Sequence, residues 1–138
     1  MFREEPQVFI ALPQEASSSD LRRVIEETLK ENRVTATSSD LVNDPTVLAG
    51  VQDRIRDTDF VIADVTGANP NVMIEVGMAI GMGKRILLLS KARSTELPVG
   101  LAAQQVAVYR PDNLSSVRTY VQLWLRDAMS EREASRAS

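Results

Sequence analysis

The stretch DVTGANPNVMIE, residues 64–75, stands between two apolar segments and decides how the chain folds around it. Before it, residues 60–63 are a short apolar run of the kind that forms a buried strand. After Asn69, which can act as an N-cap, residues 70–81 form an apolar helix pattern with a proline at its first position. The stretch therefore predicts a strand, a polar loop and a buried helix in succession.

The same alternation of strand and helix continues in both directions along the chain. The predicted strands are residues 8–12, 33–37, 60–63, 85–89 and 105–109, and the predicted helices are residues 20–31, 45–56, 70–81 and 114–129. Such alternation is typical of an α/β fold in which helices cover both faces of a parallel sheet. We expect a single three-layer flavodoxin-like or Rossmann-like domain over residues 1–130, with five parallel strands in the order 2-1-3-4-5. The polar residues 131–138 are expected to form a flexible C-terminal tail.

The composition excludes several kinds of chemistry. The 138 residues contain no cysteine and no histidine, which rules out disulfides, thiolate nucleophiles, imidazole catalysis and the usual zinc sites. Asp40 and Asp44 do not match the spacing of a calcium loop, so we expect no metal and no other cofactor. The net charge of −3, with scattered basic residues, indicates no nucleic acid partner. No apolar run is long enough for a membrane span, so we expect no membrane partner and a cytoplasmic location.

Two acidic residues flank the polar loop that follows the third predicted strand. Glu75 is the one charged residue in VMIEVGMAIGMG, residues 72–83, and Asp64 closes the strand. Burying a carboxylate among apolar residues costs free energy unless it is paired, hydrogen-bonded or protonated. Two carboxylates beside a polar loop suit glycosyl transfer, in which one of them attacks an anomeric carbon. The residues alone equally allow Glu75 to pair with an arginine and Asp64 to cap the loop.

In parallel α/β sheets, ligands bind in the loops that follow the carboxyl ends of the strands. The loop after the first strand leads into a helix N-terminus, where backbone amides and serine hydroxyls can hold a phosphate. The loop after the second strand offers Asp40 to a ribose or a base. The residues expected to bind substrate are Pro13, Gln14, Ser17, Ser18, Ser19, Asp40, Thr66, Gly67, Asn69 and Asn71. For the serines and Asp40, the alternative interpretation is a helix cap and a solvated loop.

The segment IADVTGANPNVMIEVGMAIGMGKRILLLS, residues 62–90, resembles the site segment of the nucleoside 2-deoxyribosyltransferase-like superfamily. The shared features are a strand ending in Asp, a helix with Glu-x-Gly, and Gly-Lys before the next strand. VFIALP, residues 8–13, resembles the first strand of that superfamily, and ADVTGANPNV, residues 63–72, is most similar to its bacterial TIR-like nucleotide-binding proteins. The resemblance implies a nucleoside or nucleotide as the small-molecule partner. It also implies that Glu75 is the nucleophile of a glycosyl-enzyme intermediate, and that Asp64 contacts the base or assists proton transfer.

The first strand departs from the superfamily's pattern. Look-alike transferases carry Tyr where this chain has Phe9, and a small-residue turn where it has Leu12. Two functions are therefore considered. One is cleavage or transfer of an N-glycosidic bond, and the other is a non-catalytic TIR-like module that binds or senses a nucleotide. A response-regulator receiver is disfavoured, because Glu15 alone does not supply the acidic cluster that a receiver carries after its first strand.

Two further patterns concern the helix over residues 70–81. GMGKR, residues 81–85, is a helix end rather than a phosphate-binding P-loop, because its glycines follow the helix pattern and Arg follows Lys. The residues expected to face the sheet are Val72, Val76, Ala79 and Ile80, with Gly77 and Gly81 allowing a close approach. A second apolar stripe of Ile74, Met78 and Met82 predicts a homodimer or a larger homo-oligomer through this helix.

Overall fold

The computed structural model describes residues 5–38, 47–91 and 105–137. Its strands are β1 (Gln7–Ala11), β2 (Thr35–Thr37), β3 (Phe60–Asp64), β4 (Arg85–Lys91) and β5 (Val106–Tyr109). Its helices are α1 (Ser19–Glu31), α2 (Val47–Asp57), α3 (Pro70–Gly81) and α4 (Ser115–Ala137), with 3₁₀ turns at Ala16–Ser18 and Thr66–Ala68. Within these ranges the five strands are all parallel and lie in the order β2-β1-β3-β4-β5. This arrangement confirms the predicted flavodoxin-like α/β architecture.

Side chains alternate between the two faces of the sheet and build a separate core on each face. Val8 and Ile10 point to the face covered by α1 and α4, which we name the α1–α4 side. Phe9 and Ala11 point to the face covered by α2 and α3, the α2–α3 side. All four side chains are at most 2% exposed. Burial on both faces explains why the strands are continuous apolar runs in the sequence.

The connection between β3 and α3 turns sharply before the helix begins. Gly67 and Ala68 have φ angles of 69° and 48°, in the left-handed region that glycine adopts at little cost. The side-chain oxygen of Asn69 accepts hydrogen bonds from the backbone N–H of Asn71 at 3.0 Å and of Val72 at 3.3 Å. Asn69 is therefore the N-cap of α3, and Pro70 begins the helix, as the sequence predicts.

Helix α4 is about two turns longer than predicted, since it continues to Ala137 instead of ending near Met129. Residues 131–137, expected to form a flexible tail, belong to this helix, and the flexibility of this segment stays a prediction. Glu, Arg and Ala are strong helix formers, and polarity alone did not distinguish a solvated helix from a tail. Glu131 forms an ion pair with Arg85, and Arg132 Nε lies 3.7 Å from Asp59 Oδ1, so this part of α4 is tied to the start of the sheet.

For α3, the residues buried against the sheet are Val72, Glu75, Val76 and Ala79. Ile80 is 41% exposed, so its assignment to this face was wrong, because the 100° rotation per residue carries it round the helix. A Cβ atom added to Gly77 or Gly81 would meet nothing within 4 Å, so these glycines do not serve close packing on the sheet. The predicted start of α2 at residue 45 lies outside the described residues.

Candidate functional site at the carboxyl edge of the sheet

The carboxyl ends of the central strands bring two of the predicted loops together. Ala11 at the end of β1 pairs with Ala63 of β3, and Asp64 of β3 pairs with Leu89 of β4. The loop that holds Pro13 to Ser19 and the loop that holds Thr66 to Asn71 therefore start from neighbouring strands. Asp40, the third predicted contribution, lies outside the described residues.

Asp64 is the centre of a hydrogen-bond network at this edge. Its carboxylate is 2% exposed. The Tyr109 hydroxyl donates to Asp64 Oδ2 at 2.7 Å. The backbone N–H and the hydroxyl of Thr66 both donate to Asp64 Oδ1, at 3.0 and 2.5 Å. The backbone N–H of Lys91 in turn donates to Thr66 Oγ1 at 2.9 Å. We name these four residues the Asp64 network, and it joins the ends of β3, β4 and β5.

Tyr109 belongs to this network, and the sequence did not predict it as part of the candidate site. It is the last residue of β5 and only 2% exposed. Burial raises the pKa of its hydroxyl above the usual value of 10, and the hydrogen bond to Asp64 and the charge of Asp64 raise it further, against a smaller lowering by Thr66. The hydroxyl is therefore protonated at neutral pH and acts as a donor. A tyrosine at the end of a predicted strand, level with other polar strand ends, was the signal available in the sequence.

Glu75 lies on the helix that covers the other side of the sheet. It is 4% exposed and lies on the side of α3 that packs against the sheet, with Val72 and Val76. Phe9, where look-alike transferases have a tyrosine, is fully buried on the same α2–α3 side. Ile62 and Tyr109 lie in the core of the α1–α4 side. Asp64 follows Ile62 by two residues on the same strand and accepts a hydrogen bond from Tyr109, so its side chain points to that side as well. Asp64 thus lies on the α1–α4 side of the sheet, whereas Glu75 lies on α3, which covers the α2–α3 side.

The loop proposed for phosphate has many of its groups engaged within the chain. The Ser17 hydroxyl donates to Glu15 Oε2 at 3.1 Å, and the Ser19 hydroxyl donates to the carbonyl oxygen of Ala16 at 2.9 Å. Arg23 pairs with Asp20 at 3.1 Å. A phosphate would compete with the Glu15 carboxylate for Ser17. Phosphate binding by Gln14, the serines and the helix start stays a prediction.

Two cavities lie away from the carboxyl edge. One, of about 560 Å³, lies between α4 and the β4–β5 part of the sheet and is lined by Arg85, Gln105 and Trp124 among others. The other, of about 610 Å³, is lined by Asp59, Lys84 and Arg132 among others. Both include Arg85, the first residue of β4, which places them towards the amino end of that strand. Ligands of parallel sheets bind at the opposite end, and the Asp64 network lies there.

The described residues contain no group of three or more Asp or Glu side chains that could hold a metal ion. Within the same ranges, no helix combines the length and the apolar character needed to cross a membrane.

Comparison with known proteins finds the fold in several solved structures. The CMP N-glycosidase BcmB of Clostridium botulinum aligns with a TM-score of 0.61 and 23% identity, over 85% of this chain and 98% of that one. The TIR domain of the Toll-related receptor TRR-2 of Hydra magnipapillata aligns with a TM-score of 0.62 and 15% identity, over 88% and 97%. A 2-deoxyribosyltransferase of Bacillus psychrosaccharolyticus aligns with a TM-score of 0.56 and 16% identity, over 81% and 90%. No family model and no curated protein matches the sequence.

These neighbours share the fold with the chain, and they are the kinds of protein that the segment at residues 62–90 resembles. At these identities the likeness establishes the architecture alone.

Proposed function

We propose that the protein binds a nucleoside or nucleotide at the carboxyl edge of its sheet and cleaves or transfers the N-glycosidic bond, with Glu75 as the nucleophile. The observation that carries the proposal is the position of Glu75, a 4% exposed carboxylate in the second turn of α3, the helix that follows the β3 loop. A buried carboxylate costs free energy unless it is paired or hydrogen-bonded, and the place of Glu75 on the helix directly after the β3 loop suits a role in chemistry. The fold is also that of a CMP N-glycosidase and of a 2-deoxyribosyltransferase.

In the proposed reaction, a carboxylate oxygen of Glu75 bonds to the anomeric carbon while the bond from that carbon to the base nitrogen breaks. The base leaves with the electron pair of that bond and takes up a proton. Water or a second base then attacks the same anomeric carbon, the bond from that carbon to the Glu75 oxygen breaks, and the attacking group loses a proton, which balances the one taken up by the first base and gives the free sugar or a new nucleoside. Either step restores the Glu75 carboxylate. Asn69, Asn71 and the loop from Pro13 to Ser19 are the proposed contacts for sugar and phosphate.

A non-catalytic nucleotide-binding or sensing module is the second candidate, and one observation favours it. Phe9 is fully buried on the side of the sheet that α3 covers, and it carries no hydroxyl to orient a glutamate there. TIR domains, including that of the Hydra receptor, share the fold as well. Such a module would bind a nucleotide at the same site without cleaving it.

One experiment separates the two candidates. The protein is incubated with deoxynucleosides, nucleoside monophosphates and dinucleotides, and free base is measured by chromatography. The enzyme predicts base release that Glu75→Gln abolishes and that Glu133→Gln, an exposed glutamate on α4, leaves unchanged. Thermal stabilisation by a nucleotide without base release, equal in wild type and Glu75→Gln, would refute the enzyme and support the binding module.

We also propose that the outer side of α3 meets a second copy of the chain. Ile74 is 45% exposed and Ile80 is 41% exposed, and the space above Gly77 and Gly81 is open. Exposed apolar residues beside glycines allow two helices to approach closely. The partner's α3 would then lie beside the helix that carries Glu75. A cytoplasmic location for this assembly stays a prediction.

A further inference from the structure

We propose that Asp64 is a positioning residue, and that Tyr109 and Thr66 hold its carboxylate so that it fixes the loop between β3 and α3. This inference rests on the proposed function, because that loop leads into the helix that carries Glu75. It gives Asp64 a role different from the base contact or proton transfer that the family resemblance implies.

The hydrogen bonds at Asp64 leave little capacity for a substrate. A carboxylate offers about four lone-pair positions, and three donors from Tyr109 and Thr66 occupy three of them here. All three groups donate to the carboxylate oxygens, so these oxygens are engaged within the chain and not turned towards a substrate. The side chain is also 2% exposed and lies on the face of the sheet away from α3.

Hydrogen bonds between β3 and β4 continue beyond Asp64 and Leu89, the last paired residues of these two strands. The backbone N–H of Val65 donates to the Leu89 carbonyl oxygen at 2.8 Å. One residue later, the Thr66 hydroxyl accepts from the Lys91 N–H at 2.9 Å and donates to Asp64 at 2.5 Å. The first two residues of the loop are thereby held against β4. The left-handed turn at Gly67 and the cap at Asn69 follow directly, so the start of α3 depends on this anchor.

Replacing the Asp64 carboxylate by an amide of the same shape tests the positioning role. In Asp64→Asn the amide oxygen can keep both Thr66 bonds, and the amide N–H can donate to the Tyr109 oxygen, which then accepts instead of donating. The geometry survives while the acid is lost. Asp64→Ala removes the three hydrogen bonds that the carboxylate accepts and leaves the bond from Lys91 to Thr66. Tyr109→Phe removes one donor and keeps the ring in the core.

The rate of base release shows whether Asp64 takes part in the chemical step. A positioning role predicts that kcat of Asp64→Asn stays within about tenfold of wild type, whereas proton transfer by Asp64 predicts a loss of about 100-fold or more. Tyr109→Phe should lower kcat with little change in KM. The matched control is Tyr120→Phe, which also loses a single hydroxyl bond, to the Val108 carbonyl at 2.8 Å on the same strand, and should leave kcat unchanged. A collapse of kcat in Asp64→Asn with the loop intact would overturn the inference.

Amide hydrogen exchange tests the anchor without any substrate. Tyr109→Phe and Asp64→Ala should each speed exchange at the Thr66 and Lys91 amides by about fivefold or more, as expected when hydrogen bonds of this kind are lost. Tyr120→Phe should not. If wild type releases no base from any nucleotide, the proposed function fails, and faster exchange in both variants still supports the anchor. Unchanged exchange in Tyr109→Phe and Asp64→Ala would refute it.

Discussion

The ammonium group of Lys84 lies 2.6 Å from the carbonyl oxygen of Thr58 and 2.9 Å from that of Arg56. Lys84 stands in the GMGKR segment, just before β4, and the two carbonyls lie at the end of α2. The lysine therefore binds the negative end of that helix dipole and links the α2–β3 turn to the start of β4. A lysine held in this way is structural, which agrees with interpreting GMGKR as a helix end rather than a P-loop.

Replacing Lys84 by methionine should lower the free energy of unfolding by about 1–3 kcal/mol, because the change leaves carbonyl oxygens without a charged donor. Urea unfolding followed by circular dichroism measures the loss. Lys30→Met is the matched control, since Lys30 is an exposed lysine in the last turn of α1. Equal effects of the two substitutions would show that the bonds from Lys84 add nothing.

Tyr109 should not ionise in the folded protein at the pH where free tyrosine does. Because its pKa is raised by burial and by Asp64, the folded state keeps a proton that the unfolded state releases near pH 10. The stabilisation from this shift is complete below pH 10 and declines as the pH rises further. The contribution of Tyr109 is obtained as the difference in phenolate absorbance at alkaline pH between wild type and Tyr109→Phe. A half-ionised tyrosine signal in that difference at pH 10, with the fold intact, would contradict the burial and the bond to Asp64.

Two glycine-to-alanine changes should have opposite signs. Gly77 lies in the middle of α3 with open space above it, so Gly77→Ala should raise the stability of the monomer by about 0.5–1 kcal/mol. Gly67 has a φ of 69°, so Gly67→Ala should lower stability by about 1 kcal/mol or more despite equally open space. Thermal unfolding at low protein concentration measures both. Shifts of the same sign would mean that the backbone conformation of the β3–α3 turn is not the one described.

The oligomeric state tests the outer side of α3. Ile74→Glu should convert a dimer into a monomer, because it places a charge in an apolar contact. Leu123→Glu is the matched control, since Leu123 is 53% exposed on α4. Sedimentation or light scattering at micromolar concentration gives the mass. A monomeric wild type, or a dimer that survives Ile74→Glu and dissociates in Leu123→Glu, would move the contact away from α3.

Most of the fold follows from local patterns. The apolar runs at β1, β3 and β4, the cap at Asn69 and the proline at position 70 each specify an element through neighbouring residues. The end of α4 was missed because a solvated helix and a solvated tail have the same polar composition, and its ion pairs to Arg85 and Asp59 are distant in sequence. Ile80 was placed on the wrong side because both sides of α3 are apolar, so hydrophobicity does not fix the rotation of the helix.

At the site, the sequence by itself determined that Asp64 ends a buried strand, that Glu75 lies in the helix that follows, and that a polar loop joins them. Periodicity and capping are local, and they suffice for these facts. Only the tertiary structure decided what each carboxylate faces. The bond from Tyr109 to Asp64 spans 45 residues and forms because the strand order places β5 beside β4 and β4 beside β3. Strand alternation then sends Asp64 to the α1–α4 side, while Glu75 approaches with α3 from the other face.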